Sequence, residues 1–158
     1  MSHTFGVVGL GVMGRNLALN VASRGFSVAG YDLDPAKTKA LVEGPDKGRV
    51  TGVDSPERLM QALERPRRIL AMVPAGKPVD DVVAHLRPHM ERGDILIDGG
   101  NSWFFDTERR SRELDVAGLQ FVGMGVSGGE EGALHGPSLM PGGPVEAWAA
   151  LAPILKAI

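Results

Sequence analysis

The sequence predicts an α/β fold of Rossmann type: a doubly wound, mainly parallel sheet in three layers. Three observations carry this. Short apolar runs alternate with helix-periodic stretches along the whole chain, as repeated strand-helix crossovers require. The first run, Phe5 to Val8, leads into Gly9-Leu10-Gly11-Val12-Met13-Gly14 and then a helical stretch. The second run ends in Tyr31-Asp32, an acid eighteen positions after Gly14.

That opening unit reads as a dinucleotide site. Gly9 permits the tight turn, Gly11 leaves room for a pyrophosphate, and Gly14 lets the helix pack closely on the strand. The free N–H groups and partial positive charge of the helix N-terminus face the phosphates. Leu17, Ala18, Val21 and Ala22 repeat at helical spacing, and Gly25 supplies the stop. Asp32 stands where a carboxylate accepts the adenosine ribose hydroxyls. A 2′-phosphate there would set about two negative charges against it, each unit pair costing on the order of 4 kcal/mol at ~4 Å and an effective dielectric near 20. Leu33 offers no offsetting cation and Asp34 adds an anion, so NAD is expected over NADP unless Lys37 or Lys39 swings in.

The remaining elements follow in order. Pro35 to Glu43 reads as a short exposed helix with Leu41 and Val42 turned inward, broken by Gly44-Pro45; Asp46 to Gly52 reads as a polar loop around a short strand at Arg49 to Thr51. Ser55 is an N-cap with Pro56 at the first helical position, and Leu59, Met60 and Leu63 form the buried face. Ile69 to Val73 is a buried strand closed by Pro74-Ala75-Gly76. Pro78 opens a helix with Val79, Val82, Val83 and Leu86 on one face, Asp80 and Asp81 in the first turn, and Pro88 as its stop. Ile95 to Ile97 is a strand ending in Asp98-Gly99-Gly100-Asn101, followed by a helix from about Asp106 to Val116. Phe121 to Val126 is the next strand, Ser138 to Met140 an added edge strand, and the last helix starts at Pro144. That helix places Trp148, Leu151 and Leu155 on one side and kinks or shortens at Pro153.

Composition narrows the function classes. A chain of 158 residues with 43% hydrophobic content suits one domain, 1–158. Net charge of −2 gives no pull toward nucleic acid, and no apolar run approaches membrane-spanning length. Cysteine is absent and no leader precedes the first strand, so a cytoplasmic location is expected. No His, Asp or Glu pair has metal-ligand spacing, so no metal is expected, and there is no nucleophile elbow. His3, His85 and His89 flank elements and His135 falls on a loop; Arg65, Arg67 and Arg68 read as a solvated approach to a strand.

In a doubly wound sheet the ligand crevice lies outside the strand C-termini. Gly9 to Gly14, Asp32, Pro74 to Gly76, Asn101 and Ser127 to Gly129 each follow a strand, which places them on one rim. Asn101 can orient a hydroxyl or carboxamide, and Ser127 with the Gly128 and Gly129 amides can cradle a carboxylate. Glu130 and Glu131 read as helix-start or solvated residues rather than catalysts. No base for hydride chemistry stands at the rim, Lys77 being solvated, so no residue of this chain is given a catalytic role.

The runs Gly9 to Asn20, Ile97 to Ser102, Gly125 to Ala133 and Gly136 to Gly143 resemble the N-terminal NAD(P)-binding domain of 6-phosphogluconate dehydrogenase over essentially the whole chain. The resemblance implies oxidation of 6-phosphogluconate at C3, decarboxylation, and ribulose 5-phosphate as product, a step of the pentose phosphate pathway. It implies that Gly9, Leu10, Gly11, Val12, Met13 and Gly14 bind pyrophosphate, Asp32, Leu33 and Asp34 the adenosine ribose, and Val73, Pro74 and Ala75 the middle of the cofactor. Asn101 would touch nicotinamide and substrate, and Ser127, Gly128 and Gly129 the substrate carboxylate. The family's NADP-using members carry an Asn-Arg-Ser/Thr run where Asp32-Leu33-Asp34 stands here, which again favours NAD. The family's base, acid and phosphate ligands come from a C-terminal helical domain absent from this chain, so cofactor binding with little or no turnover is expected. A homodimer is expected, with Trp148, Leu151, Ile154 and Leu155 left partly uncovered for self-association. A non-catalytic nucleotide-binding module and a dehydrogenase of another β-hydroxy acid are the alternative readings.

Overall fold

The computed structural model describes residues 2–45 and 48–158. Asp46 and Lys47, at the start of the expected polar loop, lie outside the described residues. The elements in chain order are β1 (Phe5–Val8), α1 (Val12–Ser23), β2 (Val28–Tyr31), α2 (Pro35–Val42), β3 (Val50–Val53), α3 (Pro56–Ala62), β4 (Arg68–Ala71) and α4 (Lys77–Leu86). Then come β5 (Ile95–Asp98), α5 (Phe104–Asp115), β6 (Gln120–Ser127), α6 (Gly129–His135), β7 (Ser138–Gly142) and α7 (Val145–Leu155).

Seven strands form one sheet in the order β3-β2-β1-β4-β5-β6-β7. All neighbours are parallel except β6 and β7, which pair antiparallel with Val126 opposite Leu139. The chain works outward from β1 to β3, then crosses to β4 and works outward the other way, which makes the β1–β4 boundary the topological switch point.

Strand side chains alternate between the two faces, and each face is covered. Phe5, Val7, Leu70, Ile95, Ile97, Val122 and Met124 join α1, α2 and α7 in one apolar cluster. Val8, Ile69, Ala71, Leu96 and Phe121 join α3, α4 and α5 in the other. This is the three-layer architecture expected from apolar runs buried on both faces. Each fully buried aliphatic side chain is worth about 1.5–3 kcal/mol.

The local signals operate as expected at several ends. Asp34 caps α2, its carboxylate accepting the Ala36 N–H at 2.9 Å, and Ser55 caps α3 through the Arg58 N–H at 3.2 Å. Gly25 and Gly118 follow α1 and α5 with φ of 97° and 72°.

Elsewhere tertiary packing overrides the local pattern. β3 begins and ends later than Arg49 to Thr51, because Val28 to Tyr31 of β2 select Val50 to Val53 as ladder partners. β4 ends at Ala71, so Met72 and Val73 leave the sheet. Pro88 does not end the helix abruptly, since Arg87–His89 continues as a 3₁₀ turn. α5 begins two residues early, at Phe104. Helix α6 begins at Gly129, directly after β6 and Gly128, and its last residue is His135, correcting that residue's loop placement. α7 runs through Pro153 to Leu155, where a proline in the last turn removes only one hydrogen bond.

The expected uncovered face of α7 is also corrected. Leu151, Ile154 and Leu155 are buried in this chain's own core, and only Trp148, 41% exposed, faces outward with Lys156 over its ring. Nor are the arginines before β4 all solvated. Arg67 is buried, donating to Asp94 at 2.8 Å and Glu91 at 3.0 Å. Arg68 ties the Thr4 and Ala150 carbonyls together, which pins α7 to the N-terminal edge of the sheet.

α6 owes its place to a polar stripe on α1. Asn16 donates to the Glu130 carbonyl at 3.0 Å, Asn20 to Ala133 at 3.2 Å, and Arg24 to His135 at 3.3 Å. Asn20 is buried, so Asn20→Ala strands the Ala133 carbonyl and should destabilise by about 1–3 kcal/mol. Urea unfolding reads this as a lower midpoint at unchanged slope; an unmoved midpoint would show that the α1–α6 bond carries no net stability.

Candidate functional site

The parallel strands point the same way, so the ends of β1, β2, β4, β5 and β6 share one edge. Read across the sheet, that rim carries Asp32, the glycine turn, Val73 to Gly76, Asn101 and then Ser127 to Gly129. The sequence-predicted residues are brought together as one continuous rim.

At its centre, steric need explains the glycines. Gly9 has φ of 86°, and a Cβ there would sit 2.4 Å from the Met72 carbonyl oxygen. A Cβ on Gly14 would lie 1.9 Å from the Gly9 carbonyl oxygen, so only glycine lets α1 approach β1 this closely. Gly11 differs: nothing lies within 4 Å of its would-be Cβ, and it borders an open crevice. Gly11 is also the N-cap of α1 and supplies no side-chain cap, so the first turn of the helix has no side-chain acceptor for its N–H groups and its partial positive charge favours an anion.

Asp32 closes the turn from the β2 side. Its Oδ2 accepts the Leu10 N–H at 2.7 Å and its Oδ1 accepts the Asp34 N–H at 2.9 Å. Leu10 therefore presents neither a free amide nor its buried side chain, whereas Leu33 is 79% exposed. A carboxylate has about four lone-pair positions, so Asp32 retains acceptor capacity outward. Lys37 does swing in, its Nζ standing 3.8 Å from Asp32 Oδ1. Burial and the adjacent Asp32 charge push the Tyr31 phenol up from its ordinary value, keeping it neutral.

The crevice has a volume of about 480 Å³ and opens at the switch point between the glycine turn, the tip of β2 and the start of α4. Val73 and Pro74 form one lip. Pro78, Asp81, Val82 and His85 form the far wall, at i, i+3, i+4 and i+7. That wall was missed in the sequence because the apolar stripe of the same helix, Val79, Val82, Val83 and Leu86, overlaps it at Val82 and reads as core packing alone. Lys77 is 83% exposed and spans back to Asp81, as its solvated reading requires.

Farther along the rim, Asn101 takes a left-handed conformation, φ 56°, the one non-glycine residue to do so among the described residues. Its side chain substitutes for a missing strand. β6 runs past the end of β5, and the Val126 peptide group there is taken up by Asn101, which accepts its N–H at 3.1 Å and donates to its carbonyl at 3.4 Å. One amide hydrogen and one lone pair remain free. Ser127, Gly128 and Gly129 are exposed at the end of β6, with φ of 127° and 63° at the two glycines.

Among the described residues no group of three or more His, Asp or Glu side chains stands at metal-binding spacing, and no helix is long and apolar enough to cross a membrane.

Residues 4–158 match the model of the NAD binding domain of 6-phosphogluconate dehydrogenase. The chain belongs to the 6-phosphogluconate dehydrogenase family. It is 56% identical over 157 residues to the decarboxylating 6-phosphogluconate dehydrogenase of Synechocystis sp., covering 99% of this chain and 33% of that protein. It is 54% identical over 153 residues to the NADP(+)-dependent decarboxylating enzyme of Bacillus subtilis, covering 97% of this chain and 33% of that enzyme. Among solved structures, Plasmodium falciparum 6-phosphogluconate dehydrogenase, described with its cofactor NADP+ and its substrate 6-phosphogluconate, superposes with a TM-score of 0.90 at 38% identity. That match covers 97% of this chain and 33% of the Plasmodium chain. The chain thus spans about a third of its relatives' length and constitutes the NAD(P)-binding domain of this oxidoreductase family.

Behind the family's rim sits an ion-pair cluster. Asp80 in the first turn of α4 receives hydrogen bonds from Arg110 at 2.8 Å and Arg109 at 2.9 Å. The Arg110 bond is the main cause that lowers its carboxyl to about 2 from an ordinary 3.8, with partial burial opposing. A depressed carboxyl stabilises the fold fully above the unfolded value and loses that contribution as pH falls through the folded one. Acid unfolding should therefore show a stability loss between about pH 4 and 2 that is absent in Asp80→Asn; superimposable acid limbs for the two proteins would contradict this. Gly14→Ala, which forces a Cβ against backbone, should lower the melting temperature and abolish dinucleotide binding together.

Proposed function

We propose that this chain seats NAD and one end of 6-phosphogluconate in an enzyme that oxidises C3 of the substrate and releases carbon dioxide to give ribulose 5-phosphate. The observation that carries it is the shared rim, where a crevice at the switch point lies on the same sheet edge as the strand ends that carry Asn101 and Ser127. When bound, the nicotinamide accepts the hydride from C3. The residues of this chain bind and orient. The α1 N-terminus and Gly11 receive the pyrophosphate, Asp32 with Leu33 and Asp34 the adenosine ribose, and Val73, Pro74 and Ala75 support the middle of the cofactor. The free hydrogen and lone pair of Asn101 meet the carboxamide and the substrate hydroxyl. Ser127 and the Gly128 and Gly129 amides hold the carboxylate, fixing it for departure once C3 is a ketone. The proton acceptor and the substrate-phosphate ligands come from the two-thirds of the relatives that this chain does not span, so turnover needs that part. A cytoplasmic homodimer is the proposed setting, paired outside the buried face of α7.

NAD is favoured over NADP because the tip of β2 presents Asp32 and Asp34 with no arginine between them. Lys37 offsets one charge, and it already spends that charge on Asp32. Against a doubly charged 2′-phosphate, repulsion of order a few kcal/mol remains before screening. The NADP use of the Bacillus subtilis and Plasmodium falciparum enzymes belongs to those proteins.

Calorimetric titration with NAD, NADP and ADP decides both points. NAD should bind more tightly than NADP, and the reverse order would overturn the preference; no binding of any of the three at millimolar concentration would overturn the cofactor reading. Gly11→Ala offers a sharper check. With open space around its Cβ, it should change stability by under about 1 kcal/mol yet weaken dinucleotide binding at least about tenfold. Unchanged affinity would place the pyrophosphate elsewhere.

A further inference from the structure

Arg110 lies on α5, a helix dense in charges, yet it is 1% exposed. A buried guanidinium must have all its partners supplied, and its planar fork of donors serves several at once. Its Nε donates to Asp80 Oδ1 at 2.8 Å and its Nη2 to the Gly76 carbonyl at 3.0 Å. Its Nη1 stands 3.5 Å from Ser102 Oγ and 3.6 Å from Asp98 Oδ2. Asp98 is itself buried, accepting the Gly100 N–H at 2.9 Å through Oδ1 and the Ser102 hydroxyl through Oδ2.

One side chain thus grips the loop after β4 at Gly76, the first turn of α4 at Asp80, the end of β5 at Asp98 and the loop after it at Ser102. The second of these loops holds backbone that needs external support, Asn101 at φ 56°, while the first turns at Gly76, whose φ of 90° only glycine adopts freely. Between Gly76 and Asn101 the two loops approach closely. A Cβ on Gly100 would lie 2.4 Å from the Val73 carbonyl oxygen, so the loops touch at backbone and a small shift in one is felt by the other. The adenosine end of the crevice is held separately, by the Asp32 bonds to Leu10 and Asp34 on the other side of the switch point.

We propose that Arg110 is a positioning residue that sets the spacing between the Pro74–Gly76 loop and the Asn101 loop, and thereby shapes the seat for the nicotinamide half of the dinucleotide. The proposal rests on the cofactor reading above and adds that the two halves of the dinucleotide have separate supports. Arg110 touches no ligand; it acts through Gly76, Asp98 and Ser102. Lysine keeps the charge but cannot address Asp80, Gly76 and Asp98 together.

The test is calorimetric titration of this chain, wild type and Arg110→Lys, with NAD and with ADP. ADP carries the adenosine and pyrophosphate portion and lacks the nicotinamide. Arg110→Lys should leave ADP affinity within about twofold and weaken NAD about tenfold. Ser102→Ala removes one acceptor of the guanidinium and its bridge to Asp98 while leaving Arg110 and its bonds to Asp80 and Gly76 in place. It should weaken NAD about threefold with ADP unchanged, and it decides the matter if Arg110→Lys does not fold. Equal losses for NAD and ADP would make Arg110 a general scaffold residue, and unchanged NAD affinity would remove any role in the seat; either result overturns the proposal. Wild type that binds neither ligand would instead overturn the cofactor reading, and the proposal with it.

Discussion

The approach of α1 to β1 governs this molecule. The helix starts so near the strand that a single methyl at Gly14 would lie 1.9 Å from the Gly9 carbonyl, and one at Gly9 would lie 2.4 Å from that of Met72. Turn, helix start and the exit of β4 are therefore one packing unit, with no freedom to drift apart. The helix N-terminus is held at the mouth of the switch-point crevice, where its partial positive charge favours an anion. The other flank of the same helix carries Asn16, Asn20 and Arg24, which hold α6 and so place Ser127 to Gly129 on the rim.

Along that rim, polar side chains stand in for missing backbone partners. Parallel strands end with N–H and carbonyl groups that have no further ladder neighbour, and leaving them unpaired is costly. Asp32 takes the Leu10 and Asp34 amides, Asp98 takes the Gly100 amide, and Asn101 takes both sides of the Val126 peptide. Each such bond contributes about 0.5–1.5 kcal/mol, more where a charge is involved. The same bonds hold the rim atoms still, so stabilising the strand ends and preorganising the proposed site are one arrangement.

Much of this was legible in the residues. Apolar runs bounded by glycine and proline mark the strands, and Asp34-Pro35 and Ser55-Pro56 mark helix starts, because caps and buried strands are local effects. The glycine turn and the acid at the tip of β2 are likewise local, and their common rim follows from parallel topology. The misread stretches are those where distant partners decide. Val50 to Val53 is a strand because β2 offers that register, and α6 extends to His135 because α1 and Arg24 offer donors to its carbonyls. Arg67 is buried because Asp94 and Glu91 lie across the fold, and a run of arginines looks solvated until such partners are seen.

The sequence by itself determined the doubly wound fold, the dinucleotide unit and the set of strand-end residues, since each depends on periodicity, on glycine's lack of a side chain, or on spacing along the chain. Only the tertiary structure decided how those residues are employed: Lys37 set against Asp32, Asn101 closed on Val126, the second face of α4 as the crevice wall, and Arg110 joining two loops from behind. These are contacts between segments from five to more than thirty residues apart, and their worth depends on burial and distance, which no local pattern encodes.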